Sequence, residues 1–171
     1  WHIIMKGMID LNEFEGVFKL SDVDALYSMK IPSGEYIYIS ESANSIFGYT
    51  SEEFYNTPLL IKKLMHKNYK EYFDQKWENL KNGEFEPFYE YQIVDKSGNT
   101  KWINQRNYLQ KDHDGNVIAI KGIITDVTNY KNLELELKHS RKRFEEISQT
   151  SSDWIWEVDK DGIYTYVSDR V

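Results

Sequence analysis

Residues 85–128 carry two turn signals, Ser97-Gly98-Asn99 and Asp114-Gly115-Asn116, between runs rich in β-branched and aromatic residues. Glycine and asparagine tolerate positive φ, which tight hairpins require, and the flanking residue types suit a pleated surface. Two hairpins in succession predict a three-stranded antiparallel meander. Such a sheet usually covers a core with one face only, so the residues before it must supply the opposing layer.

Those residues have the right pattern. Ala25–Lys30 and Glu35–Ser40 read as a strand pair around the turn Pro32-Ser33-Gly34. Ser40 is placed to cap a short helix that ends at Gly48. Thr50 and Glu53 form a capping box for a second helix, and Thr57-Pro58 reads as the start of a third. From Lys67 to Lys81 a longer helix puts Tyr69, Phe73, Trp77 and Leu80 on one stripe, facing the sheet. Asn82-Gly83 ends it. Residues 1–20 show only a weak helical pattern (Ile4, Met8, Leu11, Phe18) and are read as an N-terminal connector.

After Thr128 the period changes. Tyr130, Leu133, Leu137, Ser140, Phe144 and Ile147 recur in steps of three and four, crossed by charges, as in a heptad seam. Two readings stay open: an amphipathic helix packed on its own domain, and a two-stranded coiled coil that makes the chain a homodimer. Farther on, the run from Gly162 to Ser168 repeats that from Gly34 to Ser40, with the glycine, both tyrosines and the serine in the same places. A repeat of this kind predicts a second copy of the same domain beginning near residue 151.

Composition bounds the function. The formal charge of −7 disfavours nucleic acid or an anionic membrane as the main partner. No apolar run approaches the ~20 residues that span a bilayer, and the first residues lack the features of a signal peptide. The absence of cysteine removes disulfides and thiolate chemistry and fits a cytoplasmic chain. A start at Trp1 and a strand-like run ending at Val171 suggest a piece of something longer. No phosphate-cradling glycine loop, nucleophile elbow or HExxH motif is present, so the chain itself is read as non-catalytic, without a metal site.

The order of elements, together with Gly34-x-Tyr-x-Tyr-x-Ser40, Phe47-Gly48-Tyr49-Thr50 with Glu52-Glu53, Lys96-Ser97-Gly98, Trp102, Asp114-Gly115, Gly122 and Asp126-Val127-Thr128, resembles a PAS domain. The resemblance covers roughly residues 24–131. His66-Lys67-Asn68-Tyr69 departs from the His-Pro-Asp-Asp of many relatives, keeping only the histidine. The resemblance implies an α+β fold: a five-stranded antiparallel sheet, short helices and one longer helix on one face, then a C-terminal connector helix. It divides the chain into a sensory domain (21–128), a signalling helix (129–150) and the start of a second, truncated PAS domain (151–171). Asp126 and Thr128 would form the signal junction, and Tyr130, Leu133, Leu137, Phe144 and Ile147 the dimer seam.

By the same resemblance the function is a sensory or relay module of a prokaryotic signal-transduction protein. It would pass pocket or dimer state to an output domain of histidine kinase or diguanylate cyclase type in the same chain. The alternative is a ligand-free dimerisation spacer. No cofactor is expected: flavin adducts need a cysteine, and His66 and His113 lie outside the long helix on which haem-binding relatives carry their ligand. A small-molecule pocket remains open. It places Gln105 and Asn107 on the inward face of the middle meander strand, near Tyr91, Ile93 and Ile124, with Phe73 and Trp77 closing over them. Against a ligand stands the reading in which the two amides bond each other, Tyr36 or a trapped water.

Overall fold

The computed structural model of the chain describes residues 22–150 and 156–167; the expected connector at 1–20 lies outside them. It falls into two units, divided between Thr128 and Asn129. In the first, strands β1 (Asp24–Lys30) and β2 (Tyr36–Ile39) precede three five-residue helices, α1 (Ala43–Phe47), α2 (Ser51–Tyr55) and α3 (Leu60–Leu64). A 3-10 turn (Lys67–Tyr69) leads into α4 (Lys70–Lys81). The meander β3 (Phe88–Val94), β4 (Thr100–Lys111) and β5 (Val117–Asp126) follows. The five strands form one antiparallel sheet in the order β2-β1-β5-β4-β3.

The meander turns depend on aspartate as much as on glycine. Asp95 Oδ1 accepts the N–H groups of Ser97 and Asn99, and Asp112 Oδ1 those of Asp114 and Asn116. Each closes a five-residue loop whose fourth residue, Gly98 or Gly115, sits at φ near 88°. These loops are longer than the tight turns predicted, because the aspartate carboxylate replaces the ladder bond a two-residue turn would make.

The helices fill the inner face. Ile46, Phe47, Phe54, Leu60, Ile61, Leu64 and Leu80 are buried against Ala25, Tyr27, Met29, Ile103, Ile120 and Ile124 of the sheet. The capping box at Thr50 and Glu53 is present, and Gly48 ends α1 in the left-handed region, at φ 75°. Three expectations are corrected. Ser40 does not cap α1; its hydroxyl accepts the Leu26 N–H and pairs with Ser42, finishing the β1–β2 ladder. Pro58 does not open a helix, since α3 starts two residues later, after Leu59 at φ 51°. Leu59 takes that strained conformation where its N–H reaches the Gly34 carbonyl, with its side chain lying under the β1–β2 turn. Tyr69 belongs to the 3-10 turn before α4 and packs edge-on against Trp102, 5.8 Å between ring centres.

The second unit holds α5, which runs from Thr128 to Thr150, and a hairpin of β6 (Trp156–Val158) and β7 (Tyr164–Val167). Tyr130, Leu133, Leu137, Phe144 and Ile147 are all exposed, Leu137 at 71%. Within this unit the Phe144 ring meets that of Tyr166 at 5.4 Å. The hairpin matches β1–β2 pair for pair. Tyr27↔Ile39, Ser28↔Tyr38 and Met29↔Tyr36 correspond to Trp156↔Val167, Glu157↔Tyr166 and Val158↔Tyr164, with the irregularity at the same step.

Gly122 occupies the tightest place in the sheet. It pairs with Tyr27 on one side and Asn107 on the other, and a Cβ there would lie 2.1 Å from the Arg106 carbonyl oxygen and 3.0 Å from Tyr27 Cε1. Because the nearest obstacle is backbone of a paired strand, relief requires the sheet to move. Gly122→Ala should lower stability by roughly 1–3 kcal/mol, read as a fall in the urea midpoint. An unchanged midpoint would show that β5 is free to shift away from Arg106.

Candidate functional site

Alternation along β4 turns Ile103, Gln105 and Asn107 inward, and all three are buried. Two amides in an apolar layer need partners, because an unpaired buried polar group costs about 1–3 kcal/mol. Two tyrosines supply them. From β3, the Tyr91 hydroxyl donates to Gln105 Oε1. From β1, the Tyr27 hydroxyl donates to Asn107 Oδ1 at 2.5 Å and accepts from Gln105 Nε2 at 2.6 Å. Gln105 Nε2 also donates to Asn107 Oδ1, 2.9 Å away. Tyr27 reaches Asn107 only by lying across β5, and the bare Cα of Gly122 between them leaves the room. Asn107 Nδ2 alone in this cluster has no partner.

Burial is the main influence on these phenols. It holds Tyr27, Tyr36 and Tyr91 well above the ordinary tyrosine value, with the Gln105 hydrogen bond pulling Tyr27 partly back. All three are therefore neutral across the physiological range and act as hydrogen-bonding groups.

Beside the cluster, under α4, lies a cavity of about 40 Å³, room for about two or three water molecules. Phe73, Trp77, Tyr91, Gln105 and Ile124 line it; Ile93 and Asn107 do not. Ile93 is fully buried in the sheet, where the chain at Met65 bridges to it, and Asn107 stands behind Gln105. The structure therefore brings together five of the seven expected pocket residues. It adds Tyr27, Tyr72, Lys76 and Tyr89 to the wall. At the rim, the Lys76 ammonium is bonded to Glu86 at 2.5 Å and lies over the Tyr72 ring. Sequence reasoning offered the amides each other, Tyr36 or a trapped water as partners, and they do bond each other. The hydroxyl that serves belongs to Tyr27, and the signal for it was the glycine paired with it at position 122.

The expected junction is a second cluster. Asp126 Oδ1 accepts the Thr128 N–H at 3.0 Å and the Thr128 hydroxyl at 2.5 Å, while that hydroxyl accepts the Trp102 N–H at 2.9 Å. Thr128 was expected to cap the helix it begins. Instead its side chain fastens that helix start to β4, and Asp126 takes the capping role.

The family model for the PAS fold matches residues 36–124. The chain belongs to the PAS family. A methyl sulfide methyltransferase-associated sensor of Methanosarcina acetivorans is 23% identical over 82% of this chain, which spans 14% of the length of that relative. Among solved structures, a sensory box histidine kinase/response regulator from Burkholderia thailandensis gives a TM-score of 0.60 at 22% identity, covering 78% of this chain and 98% of that one. The N-terminal domain of a diguanylate cyclase with PAS/PAC sensor from Marinobacter aquaeolei gives 0.57 at 15% identity, covering 63% and 98%. At these identities the structural likeness establishes the fold, which is the α+β PAS architecture expected. Among the described residues of this PAS chain, no group of three or more His, Cys, Asp or Glu is placed to hold a metal ion. Nor is any helix among them long and apolar enough to cross a membrane.

The tyrosine–amide cluster makes two forecasts. In the unfolded chain tyrosine ionises near pH 10, whereas Tyr27, Tyr36 and Tyr91 stay protonated in the fold. The contribution of these three tyrosines to stability should therefore be constant below about pH 10 and fall above it, by up to ~1.4 kcal/mol per pH unit for each. Their share of the tyrosinate absorbance, beyond that of the exposed tyrosines, should rise together with unfolding. A slope unaffected by Tyr27→Phe would count against Tyr27. Replacing Gln105 and Asn107 by leucine together should cost roughly 1–3 kcal/mol for each tyrosine hydroxyl left unpaired. Adding Tyr27→Phe and Tyr91→Phe should recover most of that loss in a denaturation series.

Proposed function

We propose that this PAS chain is a sensory and signal-relay module, which passes the state of its core, or of a dimer, to a downstream output through α5. The observation that carries the reading is the joint at Asp126 and Thr128. The last strand of the sheet ends where the long helix begins, and the first residue of that helix is hydrogen-bonded to a strand that lines the cavity. A packing change beneath α4 thus has a short physical route to the start of α5. A coupling of ~1–3 kcal/mol suffices for such a relay. The relatives named as sensors support the role, and the histidine kinase and cyclase neighbours suggest an output of either type.

Dimerisation through α5 is part of the same proposal. Its support is a heptad-spaced seam of five exposed apolar residues. The matched register of the two hairpins supports a further element, a second PAS copy that begins near residue 151. A small molecule in the cavity is the third element, supported by the aromatic wall and by Gln105, the amide that lines it. The rival is a ligand-free spacer, and a specific observation favours it too: Gln105 is fully bonded by its neighbours and the cavity is small. Native mass spectrometry of the purified chain separates the two, since a retained mass lost in Trp77→Ala supports the sensor and bare protein supports the spacer. For the seam, the expected result is a concentration-dependent dimer in light scattering, weakened at least tenfold by Leu137→Asp with the sheet still folded. A monomer at high micromolar concentration with α5 intact would remove the coiled coil from the proposal.

A further inference from the structure

Helix α1 ends close to the junction, and one side chain joins the two. The last four carbonyls of a helix lack intrahelical partners, and in α1 each finds another. Gly48 N–H takes Asn44 O, Lys96 N–H takes Phe47 O, and the Lys101 ammonium takes both Ile46 O at 2.7 Å and Ser45 O at 3.1 Å. The same ammonium lies 3.3 Å from Asp126 Oδ2, with both side chains largely withdrawn from water, Lys101 at 20% and Asp126 at 15% exposure. Lys101 thus hydrogen-bonds two carbonyls at the negative end of α1 and forms an ion pair with the carboxylate whose other oxygen holds Thr128. A cation at a helix C-terminus is favourable in itself. A shared one makes the position of α1 and the position of Asp126 depend on each other.

The other side of α1 reaches the cavity wall through one intervening ring, that of Phe54. Phe47 meets Phe54 edge-on at 5.4 Å, and Phe54 meets Tyr36, a residue of that wall, at 5.1 Å. We infer that Lys101 is a positioning residue of the relay: it transmits the placement of α1, and with it the packing of the cavity wall, to the start of α5. This rests on the relay reading above and adds its input element. Strand β4 carries Lys101 and Gln105 on the same alternate set, so one rigid strand bears both the core cluster and the clamp.

The test is amide exchange at residues 128–134 of the full chain for Lys101→Met, Asp126→Asn and the double variant. Methionine keeps the buried stem and removes the charge. The expected result is exchange at least about fivefold faster in each single variant, with the double variant no faster than Asp126→Asn alone. Transmission has its own readout. Phe47→Leu should shift the amide resonances of 128–134 in the wild-type background and leave them unmoved in Lys101→Met. If Asp126→Asn accelerates exchange but Lys101→Met does not, or the two effects add, Lys101 is no relay and the junction reading survives. If neither variant changes exchange at 128–134, the junction reading falls and this inference with it. Should Lys101→Met fail to fold, Lys101→Gln carries the same comparison.

Discussion

Much of the PAS unit is arranged around one hydroxyl. Tyr27 lies across the central strand of the sheet to reach two amides on the next strand, and that single crossing dictates much of what surrounds it. Position 122 must be glycine, because any Cβ meets backbone. Positions 105 and 107 carry amides because a phenol buried this deeply needs both a donor and an acceptor. Tyr91 completes the set from the opposite side. A polar cluster with one acceptable pairing scheme also fixes strand register, since a slip by one residue would leave several buried groups unpaired. Hydrophobic burial supplies the bulk of the driving force here, and the cluster selects which of several apolar packings is native.

The end of the central strand repeats this arrangement with charge. Asp126 uses its two oxygens for different purposes, one for the backbone and hydroxyl of Thr128, the other for Lys101. Thr128 in turn is held by β4 through Trp102. The start of α5 is therefore determined by strands β4 and β5 together rather than by its own propensity.

Much of this was readable from the chain alone. The meander, the strand pair, the capping box at Thr50 and the Gly48 terminus follow from local rules that act within a few residues, and each is where the sequence places it. The inward face of β4 followed from alternation. What failed were features decided by distant partners. Ser40 looks like a cap until the Leu26 N–H competes for its hydroxyl. Thr57-Pro58 looks like a helix start until Leu59 is drawn under the β1–β2 turn. Tyr69 fits the α4 stripe by spacing and does pack on the core, but it stands in the 3-10 turn before the helix, edge-on to Trp102. Tyr27 was passed over because its partners are about 80 residues away, and only the glycine at 122 hinted that a large side chain crosses there. Lys101 carried no signal at all beyond standing next to Trp102.

The long separation between β1 and its central partner also shapes the way this molecule comes into being. Asp24 bonds Thr125 across 101 positions of sequence, so the sheet is completed only when its last strand exists. During synthesis β3 and β4 can pair early, through a loop of five residues, while β1 has only β2 beside it. Loop closure over such a span is slow compared with hairpin formation. The Tyr27 hydroxyl consequently waits for most of the domain to leave the ribosome before it meets its partners on β4, and β5, the strand it crosses, leads directly into α5. Completion of the core and departure of α5 are consecutive events in the life of a nascent chain, set by the order in which its residues are made.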